Sequence, residues 1–267
     1  MLGSKPISGH ELTRPGNPAA STPMAMPPDS DRPLNIEMQL RQRFEVRVER
    51  FEHRGFALGM LLPVSPEELI DEAEFERDER LPYWAELWPS ARALTRHLLE
   101  REPPPGRVLE LGAGVALPSL ALHARGAQVL ATDYYEDALL FARANAEHND
   151  LPPLPAALLD WRQPAEGLGR FDLILSADVL YERRNAEALA AVLPRLLTPA
   201  GRVLLADPGR VYLDEFERLM VGAGWSIVKR EVREEISDPA TGRTSRVRIL
   251  ELQQDMPLAR TQGRGRG

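Results

Sequence analysis

A glycine-rich turn between two apolar stretches is the part of this 267-residue sequence with the clearest chemical potential. Residues 107–133 comprise a short apolar run, Gly112 and Gly114, an apolar segment with helical spacing, and a second apolar run that ends on Asp133. Glycines let a backbone come close to a ligand, and a helix that begins after them points its first amides at it. A carboxylate about 20 residues further on can accept hydrogen bonds from ribose hydroxyls. The pattern predicts a nucleotide-binding crevice.

The residues of the turn favour one kind of nucleotide. The dinucleotide fingerprint G-x-G-x-x-G requires a glycine where this chain has Leu117, and the Gly-Lys-Ser/Thr of a phosphate-binding P-loop is absent. Glu110 instead places a carboxylate at the mouth of the first strand. A carboxylate suits a cationic ligand better than a pyrophosphate, and S-adenosylmethionine carries a sulfonium and an ammonium. The alternative is an ordinary glycine turn of an α/β protein.

Further polar and aromatic residues follow the ends of later predicted strands. Tyr134 follows Asp133 and can stack on an adenine, and the Asp160–Trp161 pair can accept the adenine amino group and cover its ring. Asp178 follows the apolar run 171–176. Ligands of open α/β sheets lie at the carboxyl ends of the strands, so we expect these side chains to share one site, with Asp178 where chemistry would occur.

The alternation of apolar runs and helical patterns predicts the fold. We expect an α/β, Rossmann-like, doubly wound and mostly parallel seven-stranded sheet with right-handed crossovers. The last two strands, near 225–232 and 246–252, should form an antiparallel edge hairpin. Alternating apolar residues at 44–48 and 56–62 predict a small β extension before the main fold.

The chain divides into four predicted parts. Residues 1–35 form a Pro-rich disordered tail, 36–80 a β-hairpin with an acidic segment, 81–252 the main domain, and 253–267 a disordered Gly/Arg tail. The hairpin either covers the sheet or forms part of the substrate entrance. The acidic segment is either a solvated helical face or a surface that attracts a basic partner.

The segment 81–90, LPYWAELWPS, contains two of the four tryptophans and precedes a predicted helix that we expect Ser90 to cap. Aromatic residues at this density are typical of a core. Because the segment lies next to the glycine turn in sequence, Trp84 is equally consistent with a side chain that lines the cofactor pocket.

Composition excludes several classes of function. The net charge of −7 argues against general nucleic-acid binding, and the absence of cysteine excludes disulfides and thiol catalysis. The five histidines show no ligand spacing, so we expect no metal site. No apolar run matches a membrane span and no signal peptide is evident, so we expect a cytoplasmic protein without membrane contact, and a monomer.

With these motifs in hand, the chain resembles the class I, seven-stranded S-adenosylmethionine-dependent methyltransferases through ELGAG and Asp133. PYWAELWP, the LDW of 159–161 and the D-x-x-Y of 178–181 resemble a narrower branch, the protein-lysine methyltransferases that act on calmodulin, electron-transfer flavoprotein and chaperones. The similarity covers roughly residues 40–252. Ala116 departs from the family, which often has a third glycine there, and this affects cofactor affinity more than cofactor identity.

The resemblance implies roles for individual residues. The cofactor-binding set would be Trp84, Glu110, Gly112, Gly114, Asp133, Tyr134, Asp160, Trp161 and Ala177. Asp178 and Tyr181 would meet the substrate nitrogen as the catalytic pair.

The function that we expect is S-adenosylmethionine-dependent N-methylation of a protein lysine. Two alternatives remain: a small-molecule N-methyltransferase acting on an amine, and a cofactor-binding protein without catalysis. Methylation of a nucleic-acid base is disfavoured, because the motif after the fourth strand is ADVLY rather than Asn/Asp-Pro-Pro-Tyr/Phe.

Overall fold

The computed structural model describes residues 35–69, 81–163, 167–238 and 241–255. The predictions for the Pro-rich stretch up to 34, for 70–80 of the acidic segment and for the tail beyond 255 lie outside the described residues. Among the described helices, none is long and apolar enough to cross a membrane.

Helices of the described ranges alternate with strands along the chain, and two short 3-10 turns, Pro66–Leu69 and Tyr83–Ala85, lie between the N-terminal hairpin and the first helix of the main domain. The α-helices are α1 Ile36–Arg43, α2 Pro89–Leu99, α3 Leu117–His123, α4 Glu136–His148, α5 Arg183–Leu196 and α6 Leu213–Gly222.

The strands form two sheets. An antiparallel pair comes first, and a seven-stranded sheet follows in the order β5-β4-β3-β6-β7-β9-β8. The strands are β1 Val46–His53, β2 Phe56–Pro63, β3 Arg107–Leu111, β4 Gln128–Asp133, β5 Ala156–Leu158, β6 Phe171–Ala177, β7 Leu197–Asp207, β8 Trp225–Asp238 and β9 Arg243–Gln254. Strands β3 to β7 are mutually parallel, whereas β9 is antiparallel to β7 and to β8. The predicted fold class is confirmed.

Alternate residues of the central strands pack on opposite faces of the sheet. On one face, Leu109 and Ile174 contact the apolar sides of α5 and α6. On the other face, Val108 and Leu173 contact Leu94 and its neighbours in α2. Both faces are therefore buried, which explains why these strands are continuous apolar runs instead of alternating ones.

The first two strands form the predicted hairpin, and it packs against α4. Asn145 accepts the Leu61 N–H at 2.6 Å and donates to the Leu61 carbonyl at 3.3 Å. Asn149 does the same for Gly59, at 2.8 Å in both directions. Two side-chain amides thus satisfy the outer edge of β2 in place of a third strand.

Two local expectations differ from the structure. Helix α1, capped by the side chain of Asn35, was not expected. Helix α2 is capped at Trp88 rather than Ser90, because Pro89 occupies the first helical turn, where its missing N–H costs nothing. Ser90 is consequently buried inside the first turn, facing Asp178.

Candidate active site

A cleft opens at the carboxyl ends of β3, β4, β5 and β6, beside the point where the strand order reverses. Its empty volume, including the opening to solvent, is about 1010 Å³. All eleven residues that the sequence analysis selected line it: Trp84, Glu110, Gly112, Gly114, Asp133, Tyr134, Asp160, Trp161, Ala177, Asp178 and Tyr181. None of the described hairpin residues lines it, and the hairpin packs against α4 and α2, so neither a cover of the sheet nor part of the entrance is established for it.

In the glycine turn between β3 and α3, every second residue from Gly112 to Ala116 has a left-handed backbone conformation. Gly112, Gly114 and Ala116 have φ values of +67°, +53° and +65°. A Cβ on Gly112 would lie 2.9 Å from Val179 Cγ1 and 3.0 Å from Trp161 Cζ2, and one on Gly114 would lie 3.2 Å from the Trp84 carbonyl oxygen. Both glycines are required by conformation and by space. Ala116 adopts the same left-handed conformation although it carries a Cβ, at the position where the resemblance implies a glycine.

Asp133 ties the end of β4 to the glycine turn. Its Oδ2 accepts the Gly114 N–H at 2.8 Å, and its Oδ1 accepts the Tyr135 N–H at 3.0 Å. The carboxylate is nearly buried yet lines the cleft. It is therefore fixed by the backbone on both sides and presents a pre-oriented acceptor to a ligand.

Glu110 is a buried carboxylate whose charge is only partly compensated. Its Oε2 accepts hydrogen bonds from the backbone N–H and the hydroxyl of Ser119, in the first turn of α3. Burial raises the pKa of Glu110 to about 7, and the nearby charge of Asp133 adds to the rise. A ligand with a cationic end at this place would keep the carboxylate ionised, so the residues present fit S-adenosylmethionine.

The segment after β5 forms another side of the cleft. The indole of Trp161 lies against Gly112, whereas Asp160 is paired with Arg162, whose Nη2 lies 2.9 Å from Oδ2. The Arg162 guanidinium carbon lies 5.9 Å from the centroid of the Tyr134 ring. Asp160 and Tyr134 are thus joined through Arg162, a residue that the sequence analysis did not select.

Three aromatic rings stand at the mouth of the cleft. The centroids of Tyr83 and Tyr181 are 4.8 Å apart, and those of Tyr83 and Trp88 are 6.1 Å apart. The Trp88 indole N–H donates to the Tyr83 carbonyl at 2.7 Å. Trp84 lies deeper, lining the cleft while its ring packs 5.3 Å from Phe141 in the core. Trp84 is therefore part of the core and of the cleft lining at the same time.

Asp178 follows β6 in a strained conformation, with a φ of +58°. Its N–H donates to the Ala206 carbonyl on β7 at 2.9 Å, and its side chain is almost fully buried. Arg210 Nε lies 2.6 Å from Asp178 Oδ1, and Ser90 Oγ donates to Oδ2 at 3.4 Å. The strained backbone holds the carboxylate at the mouth, as active-site residues often are held.

Arg210 was missed by the sequence analysis. The signal was present, since Asp207-Pro208-Gly209-Arg210 follows β7 at the same edge of the sheet as the other site residues. Within the described ranges, no group of His, Cys, Asp and Glu side chains is arranged to hold a metal ion.

Comparison with known proteins agrees with this geometry. Residues 74–216, more than half of the chain, match a family model described as lysine methyltransferase. The chain belongs to that family. Its place among the class I methyltransferases, expected from the motifs, is confirmed.

Curated relatives of this family member include electron transfer flavoprotein beta subunit lysine methyltransferase of Danio rerio. It is 38% identical over 138 residues, which cover 50% of this chain and 53% of the relative. A histone-arginine methyltransferase of Mus musculus is 34% identical over 116 residues, covering 41% and 46%. The chain thus spans about half the length of the curated relatives that it matches.

A solved structure shares the fold. Magnesium protoporphyrin IX methyltransferase from Synechocystis PCC 6803, solved with bound S-adenosylmethionine, has a TM-score of 0.51 and 20% identity over 70% of this chain and 86% of that chain. At this identity the likeness supports the seven-stranded architecture alone.

Proposed function

We propose that this protein is an S-adenosylmethionine-dependent methyltransferase that acts on a lysine side chain of a protein substrate. One observation carries the proposal: in a member of the lysine methyltransferase family, a single cleft joins the turn with Glu110 and Asp133 to an aromatic mouth with Asp178. The relatives named for lysine methylation support the choice of acceptor.

The cofactor would extend along the carboxyl ends of β3, β4 and β5. Glu110, Gly112 and Gly114 would hold its methionine end, and Asp133 its ribose. Tyr134, Asp160 and Trp161 would hold the adenine, with Trp84 and Ala177 lining the remaining surface. When bound, S-adenosylmethionine supplies a methyl group on a sulfonium sulfur, which leaves with the electron pair of the broken bond.

The protein contributes alignment and exclusion of water rather than a covalent intermediate. An in-line displacement gains most of its rate from holding the two reacting atoms in position. Asp178 would accept a hydrogen bond from the substrate nitrogen, and the Tyr181 ring would hold the alkyl ammonium or amine over its face. The strained, backbone-fixed position of Asp178 suits this orienting role.

A protein substrate is consistent with the chemistry of the mouth. Tyr83 and Tyr181 are each more than a third exposed, and the Glu86 carboxylate lies on the cleft lining. Aromatic faces and carboxylates together attract a cationic side chain. We further propose that the protein acts as a cytoplasmic monomer and makes no contact with nucleic acid.

The proposal is tested by incubating the full chain with S-adenosylmethionine labelled in its methyl group and an extract of host cells. We expect a labelled protein whose acid hydrolysate contains methyl-lysine. Label in methyl-arginine, in an N-terminal amino group or in a small molecule would contradict the acceptor that we propose. The absence of any label, with binding of S-adenosylmethionine intact, would favour a non-catalytic protein.

The control variant for this experiment is Asp133→Asn. It removes the charge that would hold the ribose, so transfer should fall together with cofactor binding. Asp137→Asn is the matched substitution, because Asp137 lies four residues away on α4 and pairs with Arg43 on the surface. Its labelling should equal that of the unaltered protein.

A further inference from the structure

Arg210 contacts two groups that a substrate cation would also use. Its Nε lies 2.6 Å from Asp178 Oδ1, and its guanidinium carbon lies 5.5 Å from the centroid of the Trp88 ring. The Asp178 side chain is 3% exposed and that of Arg210 is 34% exposed. The pair is shielded from water on its inner side, unlike the surface ion pairs of this chain.

The backbone fixes this pair in place. Asp207, which is buried, accepts the N–H groups of Gly209 and Arg210 on its Oδ1, both at 2.7 Å. Its Oδ2 is buried without a hydrogen-bond partner in the described part of the chain. Since Asp178 is itself tied to β7 through Ala206, the turns after β6 and β7 hold the two side chains together.

Methyl transfer to lysine requires that the charges around the acceptor nitrogen allow its neutral form. A free lysine has a pKa of about 10.4, and only the neutral amine has a lone pair to donate. A buried carboxylate without a counter-ion stabilises the ammonium form of a nearby amine. Asp178 alone would therefore bind lysine firmly in its unreactive state.

We propose that Arg210 is a positioning residue: by pairing with Asp178 Oδ1, it makes Asp178 a hydrogen-bond acceptor for the substrate amine rather than its counter-ion. The amine then loses its proton to water at the open mouth, and Oδ2 orients the neutral nitrogen. Because it concerns the acceptor nitrogen, this inference rests on the function proposed above.

The other charged and titratable groups around the acceptor position do not replace Arg210. From each element at this end of the cleft, these groups are Tyr83 and Glu86 before α2, Glu110 in β3, Asp133 at the end of β4, Asp178 and Tyr181 after β6, and Asp207 at the end of β7. None of these described groups is a cation, and Arg162, which also lines the cleft, pairs with Asp160.

The pair predicts a specific kinetic signature for Arg210→Gln. Without Arg210, the charge of Asp178 is no longer compensated, and the pKa of the bound lysine ammonium rises by about one unit. The fraction of bound lysine that is neutral at pH 7.5 then falls about tenfold, and kcat falls with it. The protonated complex is non-productive but tighter, so KM falls with kcat and kcat/KM changes little. Arg210→Lys, which keeps the charge, should restore both parameters towards those of the unaltered enzyme.

The experiment measures steady-state methylation of the acceptor protein found by labelling, with S-adenosylmethionine saturating. Arg230→Gln is the matched control, because Arg230 pairs with Glu217 on the surface and should alter neither parameter. Thermal melting of each variant checks that it is folded. A fall in kcat with an unchanged or raised KM, or a loss that Arg210→Lys does not restore, would mean that Arg210 is merely structural.

Failure of the inference is distinct from failure of the proposed function. If the unaltered protein methylates lysine but Arg210→Gln lacks the parallel fall in kcat and KM, only the role of Arg210 is overturned. If the unaltered protein methylates no lysine, the proposed function and the inference fall together.

Discussion

Gly112 and Trp161 lie so close that a Cβ added to Gly112 would be 3.0 Å from Cζ2 of the indole. The contact joins the turn after β3 to the segment after β5, two strands away across the sheet. Trp161, which we expect at the adenine end of the cofactor, can therefore occupy its position only because Gly112 has no side chain.

Substitution of Gly112 by alanine should therefore displace Trp161 and weaken the binding of S-adenosylmethionine. We expect a 10- to 100-fold increase in Kd, about 1.4–2.8 kcal/mol, measured by isothermal titration. Gly126→Ala is the control, because Gly126 also has a positive φ, of +83°, but no atom within 4 Å of the added Cβ. Equal affinities for Gly112→Ala and the unaltered protein would show that Trp161 does not depend on this contact.

Ala116 stores backbone strain that a glycine would release. Left-handed φ costs an alanine roughly 1–2 kcal/mol, whereas the lost methyl group costs about 0.8 kcal/mol of burial and the freer unfolded chain of glycine costs about 0.4–1 kcal/mol. We expect Ala116→Gly to change the free energy of unfolding by less than about 1 kcal/mol, in either direction.

The contrasting substitution is Ala121→Gly, in the interior of α3, where the alanine is equally buried but helical. There the loss of helix propensity adds about 1 kcal/mol to the lost burial. Urea unfolding should show Ala121→Gly to be the less stable of the two. An equal loss at both positions would mean that Ala116 is not strained.

The buried carboxyl of Glu110 should make stability fall as the pH rises. Its ordinary pKa is 4.5, and burial raises the pKa to about 7 in the folded protein. Between these values the folded state retains a proton that the unfolded state has lost, so the free energy of unfolding decreases from pH 4.5 to pH 7. The full effect is on the order of 3 kcal/mol and is constant above pH 7.

Comparison with Glu110→Gln isolates this effect. Gln can still accept the Ser119 N–H, but it does not titrate. Buried His97, whose pKa burial lowers to about 4, contributes the opposite slope in both proteins, so it cancels in the difference. Urea unfolding at pH 4.5 and pH 7.5 should show a larger loss in the unaltered protein. Parallel losses would exclude Glu110 as a proton-binding group.

The ring of Tyr181, rather than its hydroxyl, should serve the acceptor, because the ring is what packs against Tyr83 at the mouth. Tyr181→Ala should lower kcat/KM about 10-fold or more without changing the Kd of S-adenosylmethionine. Tyr181→Phe keeps the ring and should stay within about 2-fold of the unaltered enzyme. A loss in Tyr181→Phe as large as in Tyr181→Ala would assign the role to the hydroxyl.

The position of the cleft could be predicted from the sequence, because the carboxyl ends of parallel strands meet at the same edge of the sheet. Glu110, Asp133, Asp160 and Asp178 each lie at or just after the end of a predicted strand, and the topology alone then brings them together. The left-handed conformation of Ala116 was not predicted, although the resemblance to a family that often has a glycine there was an available signal.

Contacts between individual side chains could not be predicted from the sequence in this way. The pairing of Arg210 with Asp178 depends on the register of β6 with β7 and on the direction of a long side chain, and neither is encoded locally. Helix α1 was missed because Leu40 is its one fully buried residue, so it lacks an apolar period. Ser90 was misassigned because Pro89 competes for the same helix start.

The most direct measurement of the central claim uses Asp178→Asn, with Asp172→Asn as the control at the opposite end of β6. Both variants are titrated with S-adenosylmethionine and then assayed for transfer of labelled methyl groups to protein lysine. We expect Asp178→Asn to bind S-adenosylmethionine like the unaltered protein and to lose at least about 100-fold in transfer, while Asp172→Asn retains both. Unimpaired transfer by Asp178→Asn would contradict the role in lysine methylation that is assigned to Asp178 in this cleft.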